Sequence, residues 1–108
     1  MPLRLAASKP ARWIGRGELL HVPWGPCTYG PVLLIELWAG FSGATLALLT
    51  LGVRCYVLAA EEDLAARAVA AANIAGIIHI DLVSEIRVEM VAEIVKRRAI
   101  CGIIIGGG

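Results

Sequence analysis

The sequence lacks the cysteine and lysine patterns that mark several common classes of site. Its three cysteines, Cys27, Cys55 and Cys101, stand far apart and form no C-x-x-C pair. This spacing argues against a structural metal site, and an odd number argues against a disulfide framework. No Gly-Lys-Ser or Gly-Lys-Thr follows a glycine-rich stretch, which excludes a P-loop. We therefore expect a reduced, intracellular chain that holds no metal.

Net charge is also scarce. Ten basic and nine acidic residues leave a formal charge of +1, so the overall charge gives no argument for nucleic-acid binding. The distribution is uneven, because four basic residues and one acid fall within residues 1–30, a stretch that also holds four of the five prolines. We interpret residues 1–31 as an irregular basic lead-in and residues 32–108 as one folded domain.

Apolar residues, by contrast, are abundant. They make up 58% of the chain, and the mean hydropathy is +0.76. Residues 32–53 contain a single charge, Glu36, and are long enough to span a bilayer. A turn-like cluster at residues 39–43 divides this run into two shorter pieces. A soluble domain is therefore favoured, and a membrane or interaction module built on residues 32–53 stays an alternative.

The hydrophobic pattern beyond residue 31 alternates between strand and helix. Apolar or β-branched runs predict strands over residues 32–37, 54–60, 77–80 and 100–105. Helical composition predicts helices over residues 44–51, 63–73 and 85–98, the first with Ser42 as N-cap and Gly52 just after its end. Such alternation predicts an α/β, Rossmann-like fold with about four parallel strands and three helices.

Suggestive residues follow three of the predicted strands. Ligands of open α/β sheets bind beyond the carboxyl ends of the strands. Small residues follow the first strand at Gly40 and Gly43, Glu61 follows the second, and Asp81 follows the third. Glu61 lies 21 residues after Gly40, a spacing typical of an acid that accepts hydrogen bonds from ribose hydroxyls. The pattern predicts a cofactor that contains a nucleoside. The loop is not G-x-G-x-x-G, which disfavours an NAD-type cofactor without removing it as an alternative.

These residues resemble the ordered motifs of the DNA cytosine-5 methyltransferases. Residues 36–43, Glu-Leu-Trp-Ala-Gly-Phe-Ser-Gly, are similar to the family's first motif, of the type Asp-Leu-Phe-Ala-Gly-x-Gly-Gly. Glu61 with Asp63 resembles the second motif, and Ile80-Asp81-Leu82 resembles the third. Residues 102–108 resemble the approach to the fourth, which continues in that family into Pro-Cys. The resemblance covers about residues 32–108.

The resemblance implies that the cofactor is S-adenosylmethionine. Trp38 would pack on the adenine, Glu61 would hold the ribose, and Asp81 with its neighbour would border the adenine. The backbone at the two glycines of the loop would approach the methionine moiety. The implied cofactor site consists of Trp38, Ala39, Gly40, Phe41, Ser42, Gly43, Glu61, Glu62, Asp81, Leu82 and Gly106. Three positions depart from the family pattern: Glu36 stands for Asp, Ser42 for Gly, and Glu62 for an aromatic residue.

The resemblance also implies an activity and a partner. Members of the family flip a cytosine out of DNA, attack its C6 with a cysteine thiolate and transfer a methyl group to C5. Neither the motif with that cysteine nor the DNA-recognition region falls within the 108 residues, and Cys101 precedes the last predicted strand, at the opposite end of the sheet. We expect DNA binding to need those other regions, this chain to be inactive alone and to self-associate, and a nuclear location if the source is eukaryotic.

Overall fold

A computed structural model describes residues 13–14, 17–20 and 30–107, the first pair by backbone only. Beyond residue 31 its strands and helices follow one another in the order that the hydrophobic pattern predicts, and a short strand that the pattern does not predict precedes them. The strands are β1 (Trp13–Ile14), β2 (Val32–Leu37), β3 (Cys55–Ala60), β4 (Ile78–Ile80) and β5 (Gly102–Gly107). The helices are α1 (Gly43–Thr50), α2 (Leu64–Asn73) and α3 (Val88–Arg98), with a 3-10 turn at Val83–Glu85.

The strands form one sheet in the order β1-β4-β3-β2-β5. The four longer strands are parallel, and β1 pairs with β4 in the antiparallel direction. The predicted α/β class, with four parallel strands and three helices, is therefore confirmed. The order reverses between β2 and β5, which is the arrangement of a partial Rossmann-like fold, and ligands of such sheets bind at the reversal.

The strand β2 is buried on both of its faces, and its successive side chains point to opposite sides of the sheet. On one face, Leu33 and Ile35 of β2 pack with Met90 and Ile94 of α3. On the other face, Leu34 packs with residues of β3 and with partly buried leucines of α1. This two-sided burial explains why β2, apart from Glu36, is apolar without alternation.

The apolar run at residues 32–53 forms no single element. It divides into β2, a loop and the eight-residue helix α1, at the turn-like cluster noted in the sequence. Within the part of the chain that the structure describes, no helix is long and apolar enough to cross a membrane.

Two predicted boundaries are wrong by two or three residues. α3 begins at Val88 and not at Glu85, because the Glu85 carboxylate accepts a hydrogen bond from the Leu82 N–H at 2.7 Å and closes a separate 3-10 turn. Ile86 and Arg87 are extended between the two. β5 runs over Gly102–Gly107 and not over residues 100–105, since Gly106 and Gly107 still pair with β2.

The described parts of the basic lead-in pair with the sheet. Trp13 and Ile14 lie opposite Ile80 and His79 of β4. Leu20 forms an isolated antiparallel bridge with Cys55 at the start of β3, with N–O distances of 2.8 and 3.0 Å. The lead-in shows no periodicity in sequence, so short pairings of this kind carry no signal there.

Candidate functional site

The loop between β2 and α1, residues 38–42, has an unusual backbone. Trp38, Gly40 and Ser42 all adopt left-handed conformations, with φ of 49°, 57° and 65°. Only glycine adopts this region without steric cost, so the two other residues store strain of about 1 kcal/mol each. The loop is tied to the sheet by the Ala39 N–H, which donates to the Ala60 carbonyl at 2.9 Å.

The same loop presents two large aromatic side chains to solvent. Trp38 is 63% exposed and Phe41 is 65% exposed. Between them, the side chain of Ala39 is buried. Exposed aromatic rings beside a glycine at the carboxyl edge of a parallel sheet offer flat apolar surface to a ligand. The resemblance in sequence implies that both residues belong to the site, and the structure exposes both in one loop.

Glu61 connects the loop after β2 to the loop after β3. One carboxylate oxygen, Oε1, accepts a hydrogen bond from the Gly40 N–H at 2.7 Å, and Oε2 accepts one from the Asp63 N–H at 2.9 Å. Gly40 and Glu61, which lie 21 positions apart in the chain and are predicted to share a site, are therefore in direct contact. A carboxylate offers about four lone-pair positions, so each oxygen keeps capacity for a further donor.

Asp63 and Glu62 complete the loop after β3. The Asp63 carboxylate accepts hydrogen bonds from the Ala65 and Ala66 N–H groups and so caps α2. Glu62 is exposed beside it. With Glu61, the loop carries three acids in succession, which favours ligand groups that donate hydrogen bonds or carry positive charge over phosphates.

Asp81 lies at the end of β4, and its carboxylate forms an ion pair with Arg67 of α2. The Arg67 side chain is 7% exposed and the Asp81 side chain 38%, so the buried partner is the cation. Leu82 follows with an exposed side chain. The Glu61 N–H donates to the Ile80 carbonyl at 3.0 Å, which holds the loops after β3 and β4 side by side.

Glu36, the last buried residue of β2, caps helix α1. It is 2% exposed, and its Oε1 accepts from the Thr45 N–H at 3.1 Å and from the Thr45 hydroxyl. Burial raises the pKa of Glu36, and the hydrogen bonds from Thr45 and from the Ala44 backbone partly offset that rise. The Glu36 carboxylate therefore accepts the hydrogen bonds from helix N–H groups that a capping side chain at the N-cap position would otherwise accept.

The predicted N-cap role of Ser42 is therefore wrong in one respect. Ser42 stands at the N-cap position of α1, but its side chain makes no capping hydrogen bond. Its backbone is left-handed, whereas a capping serine has extended backbone. The Ser42 hydroxyl is fully buried and has no partner among the described residues.

The last predicted site residue, Gly106, lies opposite Glu36 in the pairing of β5 with β2. A Cβ atom added there would meet the Ala44 Cβ at 3.5 Å, so the position faces the start of α1. Gly43, the first residue of α1, has open space where its Cβ would be. The carboxyl edge of the sheet thus brings together the ends of β5, β2, β3 and β4, in that order.

Two residues of this region carry no clear signal in the sequence. Arg67 is the only charged residue in α2, which otherwise consists of Ala, Leu, Val and Asn. This isolated charge is the one feature of the sequence that points to Arg67. His79 of β4 is buried, and its Nδ1 has no partner among the described residues. Burial, together with the nearby Arg67 charge, lowers the pKa of His79, so it is neutral near pH 7. Both line a small cavity of about 230 Å³ beside α2.

A larger groove, of about 630 Å³, lies on the opposite face between α3 and β5. Its lining is apolar except for Arg87, and it contains none of the predicted site residues. Ile103 and Ile105 of β5 contribute exposed side chains to it. The groove is an uncovered part of the sheet face and is separate from the carboxyl edge.

The two described cysteines lie away from this edge. Cys55 is buried at the start of β3, and burial, with a smaller contribution from the Glu36 charge, raises its thiol pKa to about 11. Cys101 is exposed and precedes β5, at the amino end of the strand, where the sequence places it. Cys27 lies outside the described residues. Cys55 lacks exposure and Cys101 lies away from the carboxyl edge, so neither described thiol is placed as a nucleophile of this site.

Comparisons of this chain with protein-family models, with curated proteins and with solved structures return no match. Function is therefore inferred from the geometry of the carboxyl edge and from the motifs that lie there.

Proposed function

We propose that this chain is the S-adenosylmethionine-binding portion of a DNA cytosine-5 methyltransferase. The observation that carries the proposal is the hydrogen bond from the Gly40 N–H to Glu61 Oε1. It links the glycine of the first motif to the acid of the second at the carboxyl edge of the sheet. The resemblance in sequence requires these two motifs to form one site, and a 21-residue spacing alone does not ensure contact.

Glu61 is the proposed ribose ligand. Its two oxygens already accept backbone hydrogen bonds, which fix the carboxylate in one orientation. Two neighbouring ribose hydroxyls are donors that match the remaining lone pairs. A charge-assisted hydrogen bond of this kind contributes about 1.5–3 kcal/mol.

Glu36 supports a cofactor without phosphate. In dinucleotide-binding folds the pyrophosphate sits at the N-terminus of the helix that follows the first strand. Here the corresponding helix is α1, and the buried Glu36 carboxylate already occupies the Thr45 amide. A phosphate at this point would meet a carboxylate instead of free N–H groups. This disfavours the NAD-type alternative and suits an adenosine cofactor that carries a sulfonium instead of a diphosphate.

Trp38 and Asp81 are the proposed adenine contacts. Trp38 offers an exposed ring within the loop at residues 38–42. Asp81 pairs with Arg67 through one carboxylate oxygen, and its other oxygen can accept a hydrogen bond from a ligand. Stacking on an aromatic face and acceptance from the 6-amino group together define an adenine site. Leu82 and Glu62 border it, and Gly106 closes the side of the site next to β5.

The bound cofactor would supply an electrophilic methyl group, and this chain's residues would hold its adenosine and methionine portions. Neither described thiol is placed to attack a cytosine, since Cys55 is buried and Cys101 lies at the opposite end of the sheet. We therefore propose that methyl transfer and the binding of DNA require residues other than the described ones. The alternative of an interaction module draws on the apolar run at residues 32–53, of which Ile35 and Leu37 line the groove beside β5.

A ligand panel tests the proposal. S-adenosylmethionine and S-adenosylhomocysteine are each added to the chain, and unfolding is followed by circular dichroism. A ligand present at 100 times its dissociation constant stabilises a protein by about 2.7 kcal/mol, which moves the melting temperature of a small domain by roughly 10–20 °C. We expect both ligands to raise it, and NAD and ATP to leave it unchanged. A shift with NAD and none with S-adenosylhomocysteine would replace the proposal with the NAD-type alternative.

A further inference from the structure

The ion pair between Arg67 and Asp81 has an uneven environment. The Arg67 side chain is almost fully buried under α2, whereas more than a third of the Asp81 side chain reaches solvent. Burial thus restrains the Arg67 guanidinium, and the ion pair with that guanidinium restrains the Asp81 carboxylate. Arg67 Nη1 contacts Asp81 Oδ1, which leaves Oδ2 as an acceptor at the carboxyl edge.

We propose that Arg67 is a positioning residue that orients the Asp81 carboxylate for recognition of an adenine 6-amino group. This inference rests on the proposed function. Arg67 acts through Asp81 and need not touch the ligand. Its role is to prevent the half-exposed carboxylate from turning toward water, which would remove the acceptor from the site.

The surroundings of Arg67 make it suited to this role. Its cavity is lined by Leu64, Ala68 and Ala71 of the same helix and by His79 of β4. Burial and the Arg67 charge lower the pKa of His79, so its imidazole is neutral near pH 7 and adds no second cation that could compete with Arg67 for Asp81. Asp81 is the ion-pair partner of Arg67 among the described residues. The buried guanidinium contacts one oxygen of Asp81, and this charge-assisted hydrogen bond favours the orientation that leaves Oδ2 free.

The chemistry predicts selectivity for adenine over hypoxanthine. Adenine carries an amino group at C6 and donates a hydrogen bond to a fixed carboxylate, whereas hypoxanthine carries a carbonyl oxygen there, which the carboxylate repels. A site built for a donor rejects an analogue that lacks it. When Asp81 is free to turn away, both the attraction and the repulsion are lost, and the two bases bind alike.

The test measures the dissociation constants of S-adenosylhomocysteine and S-inosylhomocysteine by equilibrium dialysis. We expect the wild-type chain to prefer the adenine compound by at least tenfold. Arg67→Met should reduce this preference to less than threefold. The methionine side chain fills a similar volume, and the Asp81 charge that the substitution leaves unpaired has access to solvent. Arg97→Met is the matched control, since Arg97 is exposed and pairs with Glu93 on α3; it should keep the full preference.

A second variant covers the case in which Arg67→Met does not fold. Arg67→Lys keeps the buried charge but replaces the rigid, planar guanidinium with a flexible ammonium side chain, so it should fold and lose part of the preference. An undiminished preference in a folded Arg67→Met protein overturns the inference, as does an undiminished preference in Arg67→Lys when the methionine variant is unfolded. If the wild type binds neither compound, the proposed function fails with it. If the wild type binds the adenine compound and the Arg67 variants keep the full preference for it, the inference fails while the proposed function stands.

Discussion

The Glu36 carboxylate accepts two hydrogen bonds from Thr45, one from its N–H group and one from its hydroxyl, and so a strand residue caps the helix that follows it. Both side chains are buried. A capping acid on a neighbouring strand fixes the start of α1 relative to β2, and with it the geometry of the loop at residues 38–42. The consequences for stability can be measured.

Loss of the Thr45 hydroxyl should destabilise the protein. Thr45→Val keeps the shape of the side chain but removes a donor to a buried carboxylate, which costs about 1–3 kcal/mol. Thr50→Val in the same helix is the control, because Thr50 is exposed and its hydroxyl only donates back to the Leu46 carbonyl. Urea unfolding should show a change below about 0.5 kcal/mol for the control. Equal effects in the two variants would argue against a cap at Glu36.

The raised pKa of Glu36 should make stability depend on pH. The folded protein holds this proton more tightly than the unfolded chain does. The resulting contribution to stability is fully present below the unfolded-state pKa, near 4.5, and is lost as the pH rises through the raised folded-state pKa. Wild-type stability relative to Glu36→Gln should therefore fall as the pH increases from about 4.5. Urea midpoints across the acidic to neutral range measure this difference, and a difference that is flat or rises with pH would contradict the assignment.

Glycine at position 42 should stabilise the protein. Ser42 has a left-handed backbone and a buried hydroxyl without a partner among the described residues. Ser42→Gly removes the backbone strain and the buried hydroxyl, so the free energy of unfolding should rise by about 0.5–1 kcal/mol. The same kind of substitution at an ordinary helical position, Ala92→Gly on the exposed side of α3, should instead cost about 1 kcal/mol. Thermal unfolding of both variants gives the two signs, and a destabilised Ser42→Gly protein would mean that the hydroxyl has a role in the fold.

The outer edge of β5 should cause self-association. Within the described residues β5 pairs only with β2, and Ile103, Ile104 and Ile105 are exposed. An open, apolar edge strand favours pairing with a second chain, and a charge on it opposes this. Sedimentation velocity should show oligomers for the wild type and fewer for Ile105→Lys. Val69→Lys is the control, because it also replaces an exposed apolar side chain with lysine but lies on helix α2; it should leave the oligomers unchanged. Monomeric wild type at high concentration would contradict this expectation.

The sequence was sufficient to predict the α/β class and the order of the loops at the carboxyl edge. Short, continuous apolar runs identify buried strands, and alternation with helical segments implies parallel pairing. The proximity of Gly40 and Glu61 was predictable because parallel strands end at a common edge, whereas the hydrogen bond between them is seen only in the structure. Predictions of this kind depend only on the order of elements along the chain.

Other features depend on side-chain partners that are distant in sequence. Serine before a helix is a typical N-cap, and only the tertiary position of Glu36 shows why Ser42 does not act as one. Helix α3 starts late because the Glu85 carboxylate accepts a hydrogen bond from the Leu82 N–H and closes a separate turn. The partner of Arg67 is 14 residues away on another element, and no periodicity encodes that pairing.

The most direct test of the proposed cofactor site is the affinity of S-adenosylhomocysteine for the wild type and for Glu61→Gln, measured by equilibrium dialysis of the radiolabelled ligand. The substitution keeps the shape of the side chain but presents an uncharged amide to the ribose, so we expect binding to weaken by about 1–3 kcal/mol, roughly tenfold to a hundredfold in dissociation constant. The control, Glu89→Gln on the exposed side of α3, should bind as the wild type does. Saturable binding by the wild type that is weakened to this extent in Glu61→Gln is the predicted result. Equal binding by the wild type and Glu61→Gln, or no binding by either, would contradict the proposed site.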